Sequence, residues 1–289
     1  MRQRLIWLVM AIAAVMPAFG SSIFADLSAA SSFGMLGGTI SDTGLSVVTG
    51  NVGATTTITG FPPAIVTAGS TVYPAGDPIA MAAYGAIFNP GGVFTLAEGL
   101  PSTGSFNTNT SQTFLGNVVY ASASDISTTT GTNLTFDAQG DPTKVFVIQI
   151  DGNLTVNGAM TFTLLGNAQA DNIFWIVRDA ATISVGNSPQ IDNSGSIIFD
   201  GNILAGTSFT MSAGSGGSGV QAGTINGCVF ADTANTLAAF TDVGGCAATT
   251  AGLPAGGGSV PEPGSAAPVS LGGMMIGILA WRRFRGSLC

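Results

Sequence analysis

Short segments of alternating apolar and polar residues run through the middle of the chain, from Leu134 to Ser212. Each is a few residues long, rich in β-branched and aromatic side chains, and bounded by Gly, Asn, Asp or Pro. This period of two predicts β-strands, because successive side chains of a strand point to opposite faces. The segments follow one another too closely for crossover helices. The pattern therefore predicts a coiled β architecture, a solenoid, rather than alternating strands and helices.

One stretch of the chain has helical character. Asp77 and Pro78 form a helix start signal, the apolar and Ala-rich segment 79–88 follows, and Asn89-Pro90-Gly91-Gly92 ends it. We predict that this single helix packs along the β body. The Thr-, Ser- and Asn-rich residues 98–112 are expected to form a loop or cap.

Composition and charge exclude several classes of protein. The chain has 289 residues, 46% of them hydrophobic and only 8% charged, with 42 Gly and no His. This apolar content predicts a folded chain, unlike the charged, apolar-poor composition of disordered segments. Lys144 and Arg178 are the only cations outside the two ends, which argues against binding of nucleic acid. The missing histidine removes the most common general base and transition-metal ligand.

The N-terminal residues have the features of an export signal. Arg2 and Arg4 precede an apolar run from Leu5 to Met16, and small residues follow at Ala18 and Gly20. We interpret residues 1–25 as a secretory signal peptide. The alternative is an N-terminal membrane anchor.

The C-terminal residues 260–289 resemble the PEP-CTERM sorting signal of Gram-negative bacteria. The motif Pro261, Glu262 and Pro263 precedes an apolar segment, 264–281, and then an Arg cluster. As a helix the segment would span roughly 27 Å, marginal for a hydrocarbon core of about 30 Å. The resemblance implies processing by an exosortase-type enzyme and delivery to the cell surface or its exopolysaccharide; a plain membrane anchor is the alternative. Residues 247–259 are then a Gly/Ala-rich linker.

Two cysteines, Cys228 and Cys246, lie within the mature domain predicted over residues 26–246. In an exported protein they can form a disulfide, worth about 3 kcal/mol in the chain-entropy model. Two buried free thiols are the alternative.

Several motifs in a fixed order resemble the DUF3494 ice-binding protein family over about residues 27–243. They include Phe61-Pro62-Pro63, the segment 134–142, the segment 167–175 and Gly201-Asn202-Ile203-Leu204-Ala205. The resemblance implies a mainly all-β fold: a discontinuous right-handed β-solenoid of triangular section with one α-helix alongside. It also implies binding to ice crystals through one flat face. We predict a monomer without a cofactor.

The strand pattern gives candidate residues for such a face. Wherever large apolar residues point inward, their neighbours must point outward, and the central strands carry no outward charge. An ordinary solvated face would use Lys, Glu or Asp. The predicted face comprises Ser127, Thr129, Thr155, Thr182, Ser184, Ser208, Thr210, Thr236 and Ala238. The same pattern turns Thr128 toward the core.

Two other functions stay open at this point. A structural or adhesin-like solenoid of the extracellular matrix would bind glycan through a groove lined by aromatics and acids. A polysaccharide-acting enzyme would need paired carboxylates in a cleft. We expect no enzymatic activity, because no Ser stands in a triad-like order with a base. Asp137, Asp141 and Asp151 could hold Ca²⁺, but turn formation fits their spacing better.

Overall fold

A computed structural model describes Leu27 and residues 29–107, 110–128, 131–157, 160–184, 197–212, 223–238 and 241–246. The signal-peptide residues, Thr129, the linker and the sorting motif at 261–263 lie outside the described residues. The elements in chain order are β1 (Phe33–Asp42), β2 (Val47–Val48), β3 (Asn51–Thr59), β4 (Ile65–Val66), α1 (Pro78–Phe88), α2 (Val93–Glu98), β5 (Gly104–Ser105), β6 (Gln112–Leu115), β7 (Val118–Ser122), β8 (Ile126–Thr128), β9 (Asn133–Asp137), β10 (Phe146–Ile150), β11 (Leu154–Asn157), β12 (Thr161–Leu165), β13 (Ile173–Val177), β14 (Ala181–Ser184), β15 (Ile197–Asp200), β16 (Asn202–Ala205), β17 (Ser208–Ser212), β18 (Gly223–Asn226), β19 (Val229–Leu237) and β20 (Thr241–Val243).

The strands stack in parallel into a three-sided coil, which confirms the predicted solenoid. One side stacks β5, β7, β10, β13 and β16 and continues into the first half of β19; we call it the helix-covered face. The second side stacks β8, β11, β14 and β17 and continues into the second half of β19; we call it the open face. The third side consists of the sheets β6–β9–β12 and β15–β18–β20–β2–β4.

The coil is discontinuous in sequence. β1 pairs with β19, and β3 pairs with β1, so the first strands of the chain stack on the last full coil. Both strands bend at the corner between the helix-covered face and the open face. The first half of each strand belongs to the helix-covered face and the second half to the open face. The helices α1 and α2 then run back along the stack, α1 against β3 and β1, and α2 against β10 and β13. The chain resumes coiling at β5.

Alternation within the strands builds two cores. In β10 and β13, Phe146, Ile148 and Trp175 point into the coil, whereas Val147 and Phe174 point outward beneath the helices. Both sets are buried, so β13 is continuously apolar and β10 is apolar except for Gln149, as expected of strands covered on both faces. On the open face only one side of each strand is buried, and there the sequence alternates.

The predicted helix forms where its signals place it, and a second short one follows. The Asp77 side chain accepts a hydrogen bond from the Ile79 N–H at 2.8 Å, and Pro78 begins α1. The second helix, α2, was not predicted; it has no side-chain cap and is only six residues long. The Gln149 side chain holds its C-terminal end, donating hydrogen bonds to the carbonyls of Ala97 and Leu100.

Asparagine side chains fix one corner of the coil. Asn172 donates to the Pro142 carbonyl at 2.8 Å, and Asn202 donates to the Asp171 carbonyl at 2.7 Å. The side-chain oxygen of Asn202, Oδ1, in turn accepts a hydrogen bond from the Cys228 N–H at 3.1 Å. Because these bonds link successive coils, they satisfy buried polar groups and hold the coils in register.

Three aspartates that are buried or half-buried contribute stability that is lost as pH rises from acid toward neutral. Burial raises the pKa of Asp42, Asp171 and Asp200 above the ordinary value of 3.8. Each therefore holds its proton to higher pH in the folded than in the unfolded chain. Stability is lost as pH rises from about 3.8 through the raised folded pKa, because the unfolded chain ionises first.

Asp200→Asn tests this dependence, since it keeps the oxygen that accepts the Asn226 amide at 2.7 Å. We expect urea midpoints measured between acid and neutral pH to fall less steeply with rising pH in the variant than in the parent. Asp179→Asn is the control. Asp179 is exposed, so this replacement also removes one carboxylate, but from the surface of the protein. The urea midpoint of the Asp179→Asn protein measures the effect of removing one surface charge alone. Equal slopes for parent and Asp200→Asn would contradict the prediction.

Candidate functional site

Hydroxyl side chains cover the outer surface of the open face. In β14 and β17, Ala181, Ile183, Phe209 and Met211 are buried in the coil. The alternate residues of these strands, Thr182 among them, are half-buried and point away from the coil. The same alternation places Thr155 of β11 and Thr236 of β19 outward. These small polar groups share one face, because alternate side chains of neighbouring strands point to the same side of a sheet.

The strand register aligns these side chains across the sheet. Each member of the row lies directly opposite the next on the neighbouring strand. The row, which we call the hydroxyl file, consists in order of Ser127, Thr155, Thr182, Thr210, Thr236, Ser41 and Thr59. Five of the residues predicted for the face therefore come together in one line. Neighbouring members are separated by one strand spacing, about 4.7–4.9 Å.

Two shorter rows flank the hydroxyl file. On one side Ser184 lies opposite Asn157 and Ser212. On the other side Ser208 lies opposite Ala234, and the row continues through Thr39 and Thr57. Ala238 lies one residue beyond the end of β19, where it is half-buried and packs against the core. Thr128, predicted to face the core, is buried, with 2% of its surface exposed.

Sequence reasoning missed the residues that β1 and β3 add to the face. Ser41 and Thr59 extend the hydroxyl file by two strands, and Thr39 and Thr57 extend the flanking row. Their alternation with Ile40 and Ile58 is visible in the sequence. Their place beside β19 is not, because nearly two hundred residues separate the partners along the chain, as between Thr39 and Thr233.

The hydroxyl file is free to interact with water. Within the described part of the chain, the hydroxyls of Thr155, Thr182, Thr210 and Thr236 have no hydrogen-bond partner. All members of the file and of its flanking rows are uncharged. A charge would hold a strongly oriented hydration shell, whereas a row of methyl and hydroxyl groups combines dispersion contacts with weak hydrogen bonding.

One edge of the open face is fixed by side-chain bonds to the backbone. Asp125 Oδ1 accepts the Asn153 N–H at 2.8 Å, and Asn153 Oδ1 accepts the Ala180 N–H at 3.2 Å. These bonds tie β8, β11 and β14 together where each strand begins. The bonds fix the starts of these strands before any ligand arrives, so that little conformational entropy remains to be lost there on binding.

The other two sides of the coil are less uniform. On the third side, Thr113, Thr135 and Thr163 form a shorter row, next to exposed Leu115 and Leu165. The helix-covered face is occupied by α1 and α2. The open face is therefore the longest uncharged polar surface in the described residues, and we take it as the candidate site.

A cleft of about 440 Å³ lies beside α2. Glu98, Asp151 and Arg178 line it, and Arg178 is ion-paired to both carboxylates, with its Nε at 3.0 Å from Glu98. The Glu98 hydrogen bond, followed by the Asp151 charge, raises the pKa of Arg178. The described lining contains no aromatic ring. Because the acids are engaged by Arg178, this cleft lacks both the aromatics and the free acids that glycan binding would use.

The three candidate calcium-binding aspartates are used elsewhere. Asp137 and Asp141 accept the backbone N–H two residues on, Gln139 at 2.8 Å and Thr143 at 2.9 Å, which is the turn-forming role. Asp151 pairs with Arg178. Among the described residues, no group of three or more potential metal-binding side chains comes together.

The chain is similar in sequence to ice-binding proteins. Residues 35–241 match the family model described as ice-binding-like. An ice-binding protein of Flavobacterium frigoris is 37% identical over 98 residues, and one of Nostoc sp. is 33% identical over 156 residues. These matches cover 34% and 53% of this chain, and 29% and 49% of the relatives, so the chain spans half of their length or less.

Solved structures match over a larger share. The crystal structure of an ice-binding protein from an Antarctic biological consortium has a TM-score of 0.59 at 26% identity, covering 75% of this chain and 88% of the other. The crystal structure of an ice-binding protein from the Antarctic ascomycete Antarctomyces psychrotrophicus also has a TM-score of 0.59, at 28% identity. The match covers 75% of this chain and 96% of the other.

Proposed function

This chain belongs to the ice-binding-like family, and from that premise we propose that it adsorbs to ice through the open face. The hydroxyl file is the observation that carries the proposal. Its members are small hydroxyl side chains in register, uncharged and held on a rigid sheet. Their spacing of about 4.7–4.9 Å is close to a repeat of the ice lattice.

The adsorption is the sum of many weak contacts. A single dispersion contact contributes only about 0.1–0.2 kcal/mol. A flat face makes many of them at once, and a rigid one loses little entropy in doing so. The proposal therefore predicts an activity that depends on the whole row and that is sensitive to any side chain standing above the plane.

The activity is tested directly with the purified full-length protein. We expect it to keep ice grains small during annealing of a frozen solution, at concentrations where an unrelated protein of similar charge does not. We also expect it to be taken up into a slowly growing ice crystal. A folded protein that does neither would refute ice adsorption and leave a structural solenoid of the extracellular matrix as the better proposal.

We further propose that the protein works outside the inner membrane of a Gram-negative-type bacterium. Residues 1–25 act as the export signal, and residues 260–289 as a sorting tail that an exosortase-type enzyme removes. Delivery to the cell surface or to exopolysaccharide would place the ice-adsorbing domain where external ice forms.

Mass spectrometry of the protein recovered from its producing cells tests this processing. We expect a mature chain that lacks the signal peptide and ends near the Pro261-Glu262-Pro263 motif. A Glu262→Ala chain should keep its tail and stay with the membrane fraction. Recovery of the parent with its C-terminal residues intact would indicate a plain membrane anchor.

A further inference from the structure

A disulfide fixes the end of the described domain to the solenoid body. It joins Cys246, three residues beyond β20, to Cys228, which directly precedes β19. Cys228 is completely buried in the core beneath the helices, and Cys246 packs against the same core. The Cys228 N–H also donates to Asn202 Oδ1 at 3.1 Å. The chain thus leaves the domain from a residue bonded to its interior.

The two strands that the disulfide connects differ greatly in how well they are held. β20 has three residues and, among the residues that the structure describes, pairs with β18 over three residues and with β2 over two. β19 has nine residues and pairs with β16, β17 and β1. Since each hydrogen bond contributes only about 0.5–1.5 kcal/mol, β20 alone is a weak attachment.

We propose that the Cys228–Cys246 disulfide is a mechanical clamp at the root of the C-terminal tail. Load applied beyond Cys246 passes through the disulfide to Cys228 and bypasses β20. Without the disulfide, the same load reaches β20 first and peels it away one residue pair at a time. With it, yielding requires extraction of Cys228, a fully buried residue that directly precedes the nine-residue strand β19.

The clamp has a use if the tail or its processed end holds the domain on a surface while ice grows against it. It therefore rests on the proposed C-terminal anchorage, but not on ice binding. A mechanical clamp also differs from the general stabilisation that a disulfide gives by restricting the unfolded chain. A disulfide that only restricts the unfolded chain strengthens the domain in every direction, whereas a clamp strengthens it against load on the tail.

Single-molecule pulling on the full-length chain tests the clamp. One handle is attached at the N-terminus and one to Cys289 by a thioether, which a reductant does not cleave. We expect the oxidised chain to yield only at high force. After reduction, an additional low-force extension should appear. It should release up to the 18-residue separation between the cysteines, about 60 Å at ~3.3–3.6 Å per residue.

A second pulling geometry separates the clamp from general stabilisation. In this geometry the C-terminal handle is moved to a tag in the exposed turn at Gly140, so that the load does not cross Cys246. Reduction should then leave the first yield force unchanged. A Cys228→Ser/Cys246→Ser chain should behave as the reduced parent in both geometries. Equal yield forces before and after reduction in the tail geometry, or equal weakening in both geometries, would overturn the proposal.

Discussion

Replacement of Thr182 and Thr210 by tyrosine should abolish most of the ice activity and leave the fold intact. The two residues lie opposite each other in the middle of the hydroxyl file, and both point away from the core. A tyrosine ring stands above the plane of its neighbours and keeps them from the crystal. A gap of about 0.5–1 Å already removes a quarter to a half of a dispersion contact. We expect at least about a tenfold rise in the protein concentration that stops recrystallisation, ~1.4 kcal/mol or more.

The matched control is Thr95→Tyr, because Thr95 is exposed on α2, on another side of the coil. It adds the same ring to the same type of residue and should keep full activity. Thr135→Tyr, in the shorter row of the third side, tests the choice of face. Circular dichroism and urea midpoints must match the parent in all variants. Activity retained in the Thr182→Tyr/Thr210→Tyr protein, or lost equally in Thr135→Tyr, would move the site away from the open face.

Ser41 and Thr59 should contribute to the same face although the sequence does not show that they lie beside β19. Ser41→Tyr is expected to reduce activity less than the central pair does, since it lies toward the end of the file. Recrystallisation assays of this variant beside Thr182→Tyr would show a graded loss. An unchanged Ser41→Tyr protein would restrict the ice-adsorbing face to the strands from β8 to β19.

The predictable part of this structure is the part that local chemistry determines. Thr155 and Thr182 are predicted to point outward because each alternates with residues large enough to require burial. The cap of α1 is predictable from Asp77 and Pro78 for the same reason. The position of β1 and β3 is not predictable, because it depends on pairing between the two ends of the domain. The helix α2 escapes prediction because six residues carry too little periodicity to separate them from a loop.

Strand pairing also limits how much of the candidate site the sequence pattern can predict. Alternation specifies which side chains point outward, but register specifies which of them share a line. Ser208 and Thr210 alternate identically with Phe209 and Met211, yet only Thr210 joins the hydroxyl file. Ser208 falls in the flanking row beside Ala234. A multi-strand surface such as this one becomes visible only when the coils are stacked.

Replacement of Trp175 by alanine should strongly destabilise the solenoid. Trp175 is completely buried at the centre of the coil. It contacts a cluster of aromatic rings, with ring centroids 5.3–6.2 Å away: Phe106, Phe136, Phe162 and Phe199. Its indole N–H donates to the Asp200 carbonyl at 3.0 Å. Loss of the ring leaves a cavity and an unpaired carbonyl, so we expect a loss of about 3–5 kcal/mol in the free energy of unfolding.

Trp175→Phe separates the two contributions, because it keeps an aromatic ring but removes the N–H donor. We expect this variant to lose about 1–3 kcal/mol in the free energy of unfolding, measured with urea, which is less than the loss for alanine.

The Trp175→Ala variant and the tyrosine variants should differ in which property they lose, stability or ice adsorption. The fraction of Trp175→Ala protein that stays folded in the cold should still adsorb to ice, whereas the Thr182→Tyr/Thr210→Tyr protein should be stable and inactive. A Trp175→Ala chain as stable as the parent would contradict the packed interior. A folded but inactive Trp175→Ala chain would show that the open face depends on the packing of the coil interior and not only on the Asp125 and Asn153 bonds at its edge.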